Sequence, residues 1–369
     1  MSLSRVPNNW EWRRLHERLD RAVAEAASGY MLRLAAQHIK INVGKLSDEL
    51  DELRFGREPD YELPGFPLVY ALKYMPRRVV SVYGSLLRTL DGWCPSSVLD
   101  IGSGTGATAL ALELLNLPRH VNLIGVEPSR EMIVFSECSR YRNRVSASYW
   151  QGSMADLAET NMSLEPFDLV VFSACLPYSF DDWNSVVPAL GQSDGNESKM
   201  ILVVEPDAKQ ELLTSFRHRL AARGWTTATF CCHDLPEVIK DDTLPLPEMQ
   251  NVCRRLGLDG QPKTWWSPPN DRFLVANPTP AQAAMAEDVV ARSEIDTCRA
   301  GVHHGQSSLS AQHSLSWLEA GCEMHPAIDP GPDGSLSCWG GWQFGRRTAI
   351  FGSSPLRYQI PTRRPKEEF

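Results

Sequence analysis

The fold is decided by residues 98–106, which read Val98-Leu99-Asp100-Ile101-Gly102-Ser103-Gly104-Thr105-Gly106. An apolar run ends there in three alternate glycines, and a segment of helical character, Ala107 to Leu117, follows. A buried strand that turns sharply into a helix has this pattern. Glycine lets the turn adopt positive φ values and approach a ligand closely, with the helix N-terminus behind it. The stretch therefore predicts a βα unit with a ligand-binding turn.

Short apolar runs and helical segments alternate on both sides of this turn. The predicted strands are Ser97 to Ile101, Val121 to Val126, Phe167 to Phe172 and Met200 to Val204, and two further strands, Trp225 to Cys231 and Arg272 to Ala276, would close the sheet. The helices predicted after the turn are Ala107 to Leu117, Ser129 to Arg140, Asp181 to Leu190 and Ala208 to Arg223. This alternation is typical of βαβ crossovers around a parallel sheet, so we expect an α/β fold with a Rossmann-like sheet.

The flanking regions divide the chain into three parts. Helical spacing from Trp10 to Arg54, and again from Leu68 to Leu90 with a break around Pro76, predicts a helical N-terminal cap over residues 1–95. The Rossmann-like domain then covers residues 96–278, with an irregular, proline-rich stretch at 234–269. A C-terminal extension of unassigned fold covers residues 279–369, with one helix expected over residues 281–293.

The net charge, the cysteine content and the lengths of the apolar runs limit which partners and which cellular location we expect. The net charge of −8 gives no overall attraction to nucleic acid, so RNA is disfavoured as a partner and a small-molecule acceptor is favoured. Nine cysteines, scattered over 369 residues, are typical of reduced thiols. Because neither a signal pattern nor a run of about 18 apolar residues occurs, we expect a cytoplasmic protein that does not span a membrane.

Two ligand classes fit the glycine turn. The spacing Gly102-x-Gly104-x-x-Ala107 also satisfies the dinucleotide fingerprint, in which a pyrophosphate sits on the helix N-terminus. However, Asp100 directly precedes the glycines, where a carboxylate repels a pyrophosphate and favours a positively charged ligand. Glu127 ends the next apolar run, where its carboxylate can accept hydrogen bonds from both hydroxyls of a ribose. Ser129 is then expected to cap the following helix.

The motif Asp-x-Gly-x-Gly-x-Gly, followed by Gly-Val-Glu-x-Ser-x-x-Met, resembles the class I superfamily of methyltransferases that depend on S-adenosyl-L-methionine (SAM). The resemblance covers residues 96–206 and implies SAM as the cofactor. It assigns cofactor contacts to the glycine turn, to the end of the strand Val121 to Val126 and the helix after it, to residues 153 and 154, and to the residue that follows the strand Phe167 to Phe172. These residues are Asp100, Gly102 and Gly104 at the methionine moiety, Gly106 in the same turn, Glu127 at the ribose, Pro128, Met132, Ser153 and Met154 around the adenine, and Ser173 near the sulfonium.

The segment from Ser173 to Tyr178 faces both the sulfonium and the acceptor in that superfamily. It resembles, imperfectly, the Asn-Pro-Pro-Tyr of amino-group methyltransferases, but Cys175 replaces the asparagine, which puts N-methylation of a base in doubt. Methyl transfer is an in-line displacement, so alignment and exclusion of water matter most, and a general base is needed only for some nucleophiles. The candidate catalytic residues are Tyr178, Asp181 and His233, although each also suits a capping or surface role.

A second resemblance, to the ribosomal small-subunit methyltransferase-like assembly factors, covers more of the chain. It depends on Tyr74-Met75-Pro76-Arg77, Val204-Glu205-Pro206 and Cys231-Cys232-His233-Asp234-Leu235-Pro236. Those factors carry cysteines for an iron–sulfur cluster, but Glu237 here replaces one of them. Only Cys231, Cys232 and Cys253 remain, and a cluster needs about four thiolates, so we predict no metal site.

These observations favour a SAM-dependent methyltransferase that acts on a small molecule. Two alternatives stay open on sequence alone. The chain could be an assembly factor that binds ribosomal RNA with little turnover, or the same site could cleave or cyclise SAM and release methylthioadenosine, because the motifs report cofactor binding only.

Overall fold

The computed structural model describes the part of the chain that carries the cap and the sheet. The described residues are 9–54, 59–90, 93–139, 141, 144–153, 156–157, 166–176, 190, 199–206, 210–231, 246–258 and 271–277, together with six three-residue strands between 288 and 358. The predicted helix at 181–190 lies outside this part except for its last residue.

One eight-stranded sheet forms the centre of the molecule, in the order β3-β2-β1-β4-β5-β7-β6-β8. Its strands are β1 Ser97–Ile101, β2 Val121–Glu127, β3 Val145–Gln151, β4 Leu169–Ser173, β5 Met200–Pro206, β6 Thr227–Cys231, β7 Asp271–Ala276 and β8 Asp288–Val290. The pairs from β3 to β5 are parallel, while β7 runs antiparallel to both β5 and β6. The Rossmann-like sheet predicted from the alternating pattern is confirmed.

Seven helices are present among the described residues. They are α1 Asn9–Ala36, α2 Val43–Arg54, α3 Phe66–Thr89, α4 Ala107–Leu115, α5 Arg130–Ser136, α6 Gln210–Ala221 and α7 Pro247–Arg255. The predicted break at Pro76 is wrong, because α3 continues through that proline. The stretch expected to be irregular contains α7. The helix expected at 281–293 is wrong at its centre, where β8 pairs with β6.

The two faces of the sheet carry separate hydrophobic cores, as the alternation of side chains along a strand requires. Val98 packs into the larger core, which includes residues of the N-terminal helices and of α4, α5 and α7. Leu99 and Ile101 point the other way, into the core that α6 covers. Asp100 shares the face of Val98, and this places its carboxylate beneath the helices.

Polar contacts fix the N-terminal helices onto the sheet layer. Arg18 of α1 donates to the carbonyls of Glu113 and Leu114 at the end of α4, both at 3.3 Å, where a cation suits the helix dipole. Asp20 accepts hydrogen bonds from the N–H groups of Glu248 (3.0 Å) and Met249 (2.9 Å), so a side chain of α1 caps α7. The cap is therefore part of the framework around the sheet.

The remaining short strands form two small antiparallel sheets. One has the order β13-β10-β9, built from Leu356–Tyr358, Leu336–Cys338 and Ile328–Pro330, and the other pairs β11 Trp342–Phe344 with β12 Arg347–Ala349. In the part of the chain that the structure describes, every helix is too short or too polar to cross a membrane.

Candidate cofactor site

The glycine turn between β1 and α4 has the conformation that its sequence predicts. Gly102, Gly104 and Gly106 have φ values of 64°, 52° and 83°, a region that side chains disfavour. The N–H groups of Gly102 and Ser103 both donate to the carbonyl of Val126, at 2.8 and 3.1 Å, and this ties the turn to the end of β2.

The three glycines have different surroundings. A Cβ atom on Gly102 would lie 2.4 Å from the Cβ of Cys175, so that position admits no side chain. The Cys175 thiol itself donates to the carbonyl of Ile101 at 2.8 Å and closes this side of the turn. At Gly104, by contrast, a Cβ would meet only the carbonyl of Gly102 among the described residues, at 3.9 Å. The backbone of Gly104 thus has an open side, where a ligand can approach closely.

Asp100 is a buried carboxylate with one oxygen available. Its Oδ1 accepts a hydrogen bond from the hydroxyl of Thr108 at 2.8 Å, and its Oδ2 has no hydrogen-bond partner among the described residues. Burial raises the pKa of Asp100 to about 7, the Thr108 hydrogen bond opposes that rise, and the charge of Glu127 adds to it. A buried acid whose charge is this costly is stabilised by a nearby cation.

Glu127 is held at the end of β2 with a fixed orientation. Its Oε2 accepts from the N–H of Gly104 at 2.8 Å, and its Oε1 accepts from the N–H of Ser129 at 3.1 Å. Burial raises its pKa, and the two backbone hydrogen bonds act in the opposite direction. Each carboxylate oxygen keeps further acceptor capacity, so Glu127 is able to accept the two hydroxyls of a ribose.

The loop between α2 and α3 borders this carboxylate. The Ser129 hydroxyl donates to the carbonyl of Tyr61 at 2.9 Å, and the N–H of Arg130 donates to Oε1 of Glu62 at 2.9 Å. Ser129 also caps α5, because its hydroxyl accepts from the N–H of Met132 at 3.2 Å, which confirms the predicted cap. Residues of the N-terminal region therefore lie at the edge of the candidate site.

The other predicted contacts of the adenine stay predictions. Pro128 is exposed beside Glu127, whereas Met132 is buried in the larger core. The hydroxyl and N–H of Ser153 both donate to Oδ2 of Asp156, each at 2.6 Å. Ser173, at the end of β4, is half-buried next to the glycine turn. Four predicted site residues lie outside the described part of the chain, namely Met154, Tyr178, Asp181 and His233.

The chain after β4 is anchored to the neighbouring strand. The N–H of Ala174 donates to the carbonyl of Val204 at 2.8 Å, and the N–H of Leu176 donates to Oε1 of the buried Glu205 at 2.8 Å. Ala174 has a φ of 56°, which is uncommon for a residue with a side chain and marks a sharp turn. These contacts fix Ala174 and Leu176 beside β5, immediately before the segment where we expect the acceptor to bind.

The structure describes two of the three cysteines considered as cluster ligands, and the absence of a cluster stays a prediction. Cys253 is 2% exposed and packs in the larger core on α7, against α1. Cys231 ends β6, and Cys232 lies outside the described residues. Within the described ranges, no three side chains that could bind a metal come together.

Several residues that build the site escaped the sequence prediction. Thr108, the second residue of α4, supports Asp100, and its place shortly after the glycine turn was the only signal in the sequence. Ser136 donates to the carbonyl of Gly104 at 2.8 Å, and the hydroxyls of Tyr141 and Tyr149 lie behind Gly106. These three hydroxyls come from α5, from the residues after it and from β3, and no motif marks them.

The strand order, the glycine turn after β1 and the acidic residue that ends β2 together define the class I fold of SAM-dependent methyltransferases. The particular family follows from a sequence comparison, because the family model described as mitochondrial small ribosomal subunit Rsm22 matches residues 67–303. The chain belongs to this family, as the match covers more than half of its length. A search of curated proteins returns no significant match.

Solved structures that resemble the chain are methyltransferases. The plantazolicin methyltransferase BpumL, in complex with SAH, is 14% identical, with 73% of this chain and 100% of that chain covered and a TM-score of 0.33. The O-methyltransferase TomG from Streptomyces achromogenes, in complex with SAM, is also 14% identical, with coverages of 66% and 94% and a TM-score of 0.31. The precorrin-6y C5,15-methyltransferase from Geobacter metallireducens is 15% identical, with coverages of 42% and 73% and a TM-score of 0.30.

Proposed function

We propose that this protein binds SAM at the glycine turn and acts as a SAM-dependent methyltransferase. The observation that carries the proposal is the pair of buried carboxylates, Asp100 and Glu127, on either side of a turn whose Gly104 has an open face. Two acids in one site favour a cation and disfavour a pyrophosphate. Burial and the charge of Glu127 already raise the pKa of Asp100, and a pyrophosphate would add further negative charge beside both carboxylates.

The residues of this chain hold and orient the two reactants, SAM and its acceptor. SAM carries a methyl group on a positively charged sulfonium and, when bound, supplies that group to an acceptor. Glu127, fixed by two backbone N–H groups, holds the ribose, and the Asp100 carboxylate balances the positive charge near the glycine turn. The turn after β4, anchored by Cys175 and Glu205, forms the acceptor side. Positioning of two reactants can lower the barrier of such a transfer by about 7–11 kcal/mol.

The cofactor assignment is tested by calorimetric titration with S-adenosylhomocysteine (SAH) and, in parallel, with NAD. Binding of SAH without measurable binding of NAD is the expected result. A preference for NAD would reject the assignment, because the glycine spacing alone fits both ligands.

For the acceptor we propose a small molecule, since the net charge of −8 gives no general attraction to nucleic acid. A second candidate is a role with the RNA of the small ribosomal subunit, and the match to the Rsm22 family is the observation that favours it. Incubation with tritiated-methyl SAM, with either purified small ribosomal subunits or a protein-free metabolite extract, separates the two. Label in the RNA, with binding that weakens steeply as salt rises, supports the second candidate.

The nature of the transfer needs its own measurement. Chromatography of the nucleoside product distinguishes methyl transfer, which leaves SAH, from cleavage or cyclisation of SAM, which leaves 5′-methylthioadenosine. SAH as the product is expected. Methylthioadenosine would keep the cofactor assignment and overturn the methyltransferase assignment.

A further inference from the structure

The two polar groups of Gly104 are held by side chains from different elements, the end of β2 and α5. The N–H of Gly104 donates to Oε2 of Glu127 at 2.8 Å, and Oε1 of Glu127 accepts from the N–H of Ser129, the N-cap residue of α5, at 3.1 Å. At the C-terminal end of α5, the Ser136 hydroxyl donates to the carbonyl oxygen of Gly104 at 2.8 Å. Both polar groups of Gly104 are therefore fixed by side chains, while its Cα faces open space.

Ser136 belongs to a buried group of hydroxyls behind the glycine turn. Its Oγ also lies 3.0 Å from the carbonyl of Met132, and its side chain is in hydrogen-bonding contact with Tyr149. The hydroxyls of Tyr149 and Tyr141 are 3.1 Å apart. A Cβ on Gly106 would lie 3.0, 3.1 and 3.4 Å from the Tyr149, Tyr141 and Ser136 oxygens respectively, so these hydroxyls pack directly on the backbone of the turn.

The hydrogen bond from Ser136 determines which way the next peptide N–H points. Because a peptide unit is planar and trans, the N–H of Thr105 points opposite to the carbonyl of Gly104. With that carbonyl directed to Ser136, the Thr105 N–H points away from α5. Ser136 is 0% exposed, so it cannot touch a bound cofactor itself.

We propose that Ser136 is a positioning residue for the cofactor, which keeps the glycine turn in its binding conformation before the ligand arrives. The inference rests on the proposed SAM site. Without this hydroxyl the Gly104 carbonyl loses a buried partner, and the turn occupies its binding conformation for a smaller fraction of the time. The measured affinity for SAH is the affinity of the binding conformation multiplied by the fraction of protein that occupies it. A smaller fraction therefore gives weaker binding.

The test compares two serine-to-alanine variants by calorimetric titration with SAH, well below the unfolding temperature. Ser136→Ala should weaken SAH binding measurably, by up to about fivefold, the limit set by the loss of about one hydrogen bond. Ser85→Ala is the matched control, because Ser85 is also 0% exposed in a helix and its hydroxyl donates to the carbonyl of Ser81 at 2.8 Å. Both variants should lower the unfolding midpoint, and only Ser136→Ala should lower the affinity.

A purely structural role for Ser136 would leave the affinities of the two variants equal, and that result overturns the inference. If Ser136→Ala does not fold, Tyr149→Phe removes the adjacent hydroxyl and should weaken SAH binding about two- to threefold. An unchanged affinity in Tyr149→Phe would then count against the inference. If the wild-type protein fails to bind SAH, the proposed function and this inference fall together, whereas normal wild-type binding with unaffected variants removes this inference alone.

Discussion

Replacement of Glu127 by glutamine removes one negative charge from the candidate ribose site while keeping the shape of the side chain. In the structure the carboxylate accepts one backbone N–H on each oxygen, from Gly104 and Ser129. The glutamine offers a single oxygen, so its NH₂ group must face one of those two donors. It can also accept fewer hydrogen bonds from the two ribose hydroxyls.

The size of the effect follows from the kind of hydrogen bond that is lost. A hydrogen bond to a charged group contributes about 1.5–3 kcal/mol, so Glu127→Gln should weaken SAH binding by roughly ten- to hundredfold. Glu127→Ala should weaken it at least as much, because it also releases the N–H of Gly104. Calorimetric titration with SAH measures both effects directly.

Glu113→Gln is the matched control. Glu113 is 7% exposed, the same as Glu127, and its Oε2 accepts from the N–H of Arg144 at 3.2 Å. It lies at the amino ends of the strands, the opposite edge of the sheet from the glycine turn. Equal SAH affinity for wild type and Glu127→Gln, or equal losses in Glu127→Gln and Glu113→Gln, would refute the assignment of Glu127 to the ribose.

Four further predictions concern the charge of Asp100, in two measurements, the glycine turn and the cysteines. SAM affinity should rise as the pH increases through about 7, because the cation binds best once Asp100 has lost its proton, and Asp100→Asn should flatten that pH profile. The same raised pKa should make the Asp100 contribution to the free energy of unfolding largest in acid and lost as the pH rises through about 7, which pH-dependent denaturation of wild type and Asp100→Asn measures. Gly104→Asn should fold normally, since asparagine tolerates a φ of 52°, and should reduce SAH binding by at least tenfold because its side chain fills the open face; unaltered affinity would place the ligand elsewhere. Cys231, Cys232 and Cys253 should hold no iron–sulfur cluster, and stoichiometric iron and sulfide after anaerobic purification would contradict this.

The parallel core of the sheet was predictable because each of its buried strands is a short apolar run. The bounds of β1 were predicted as found, and those of β2 and β5 within two residues. The strand β3 was missed since it lies at the edge of the sheet, where exposed serines and half-buried aromatic residues replace the apolar run. The strand β8 was missed because three residues are too few for a period, and its pairing with β6 is a long-range contact.

The sequence predicted residues of the candidate site only where a particular backbone position requires a particular residue type. Asp100, Gly104 and Glu127 stand at strand ends beside a turn that requires glycine, so the sequence motif reports their location. Ser136 is an ordinary helical serine in the sequence, and its hydrogen bond to Gly104 exists only because α5 packs beside the turn. The residues that hold a site in place are therefore set by tertiary contacts, and hydrophobic periodicity and sequence motifs do not report such contacts.

The most direct test of the SAM site is a crystal structure of the protein in complex with SAH. We expect both ribose hydroxyl oxygens to lie within about 3.2 Å of the Glu127 carboxylate. We also expect the amino-acid part of the ligand to lie against the open face of Gly104, near Asp100. A ribose bound away from Glu127, or a ligand on the far side of the glycine turn, would contradict the proposed SAM site.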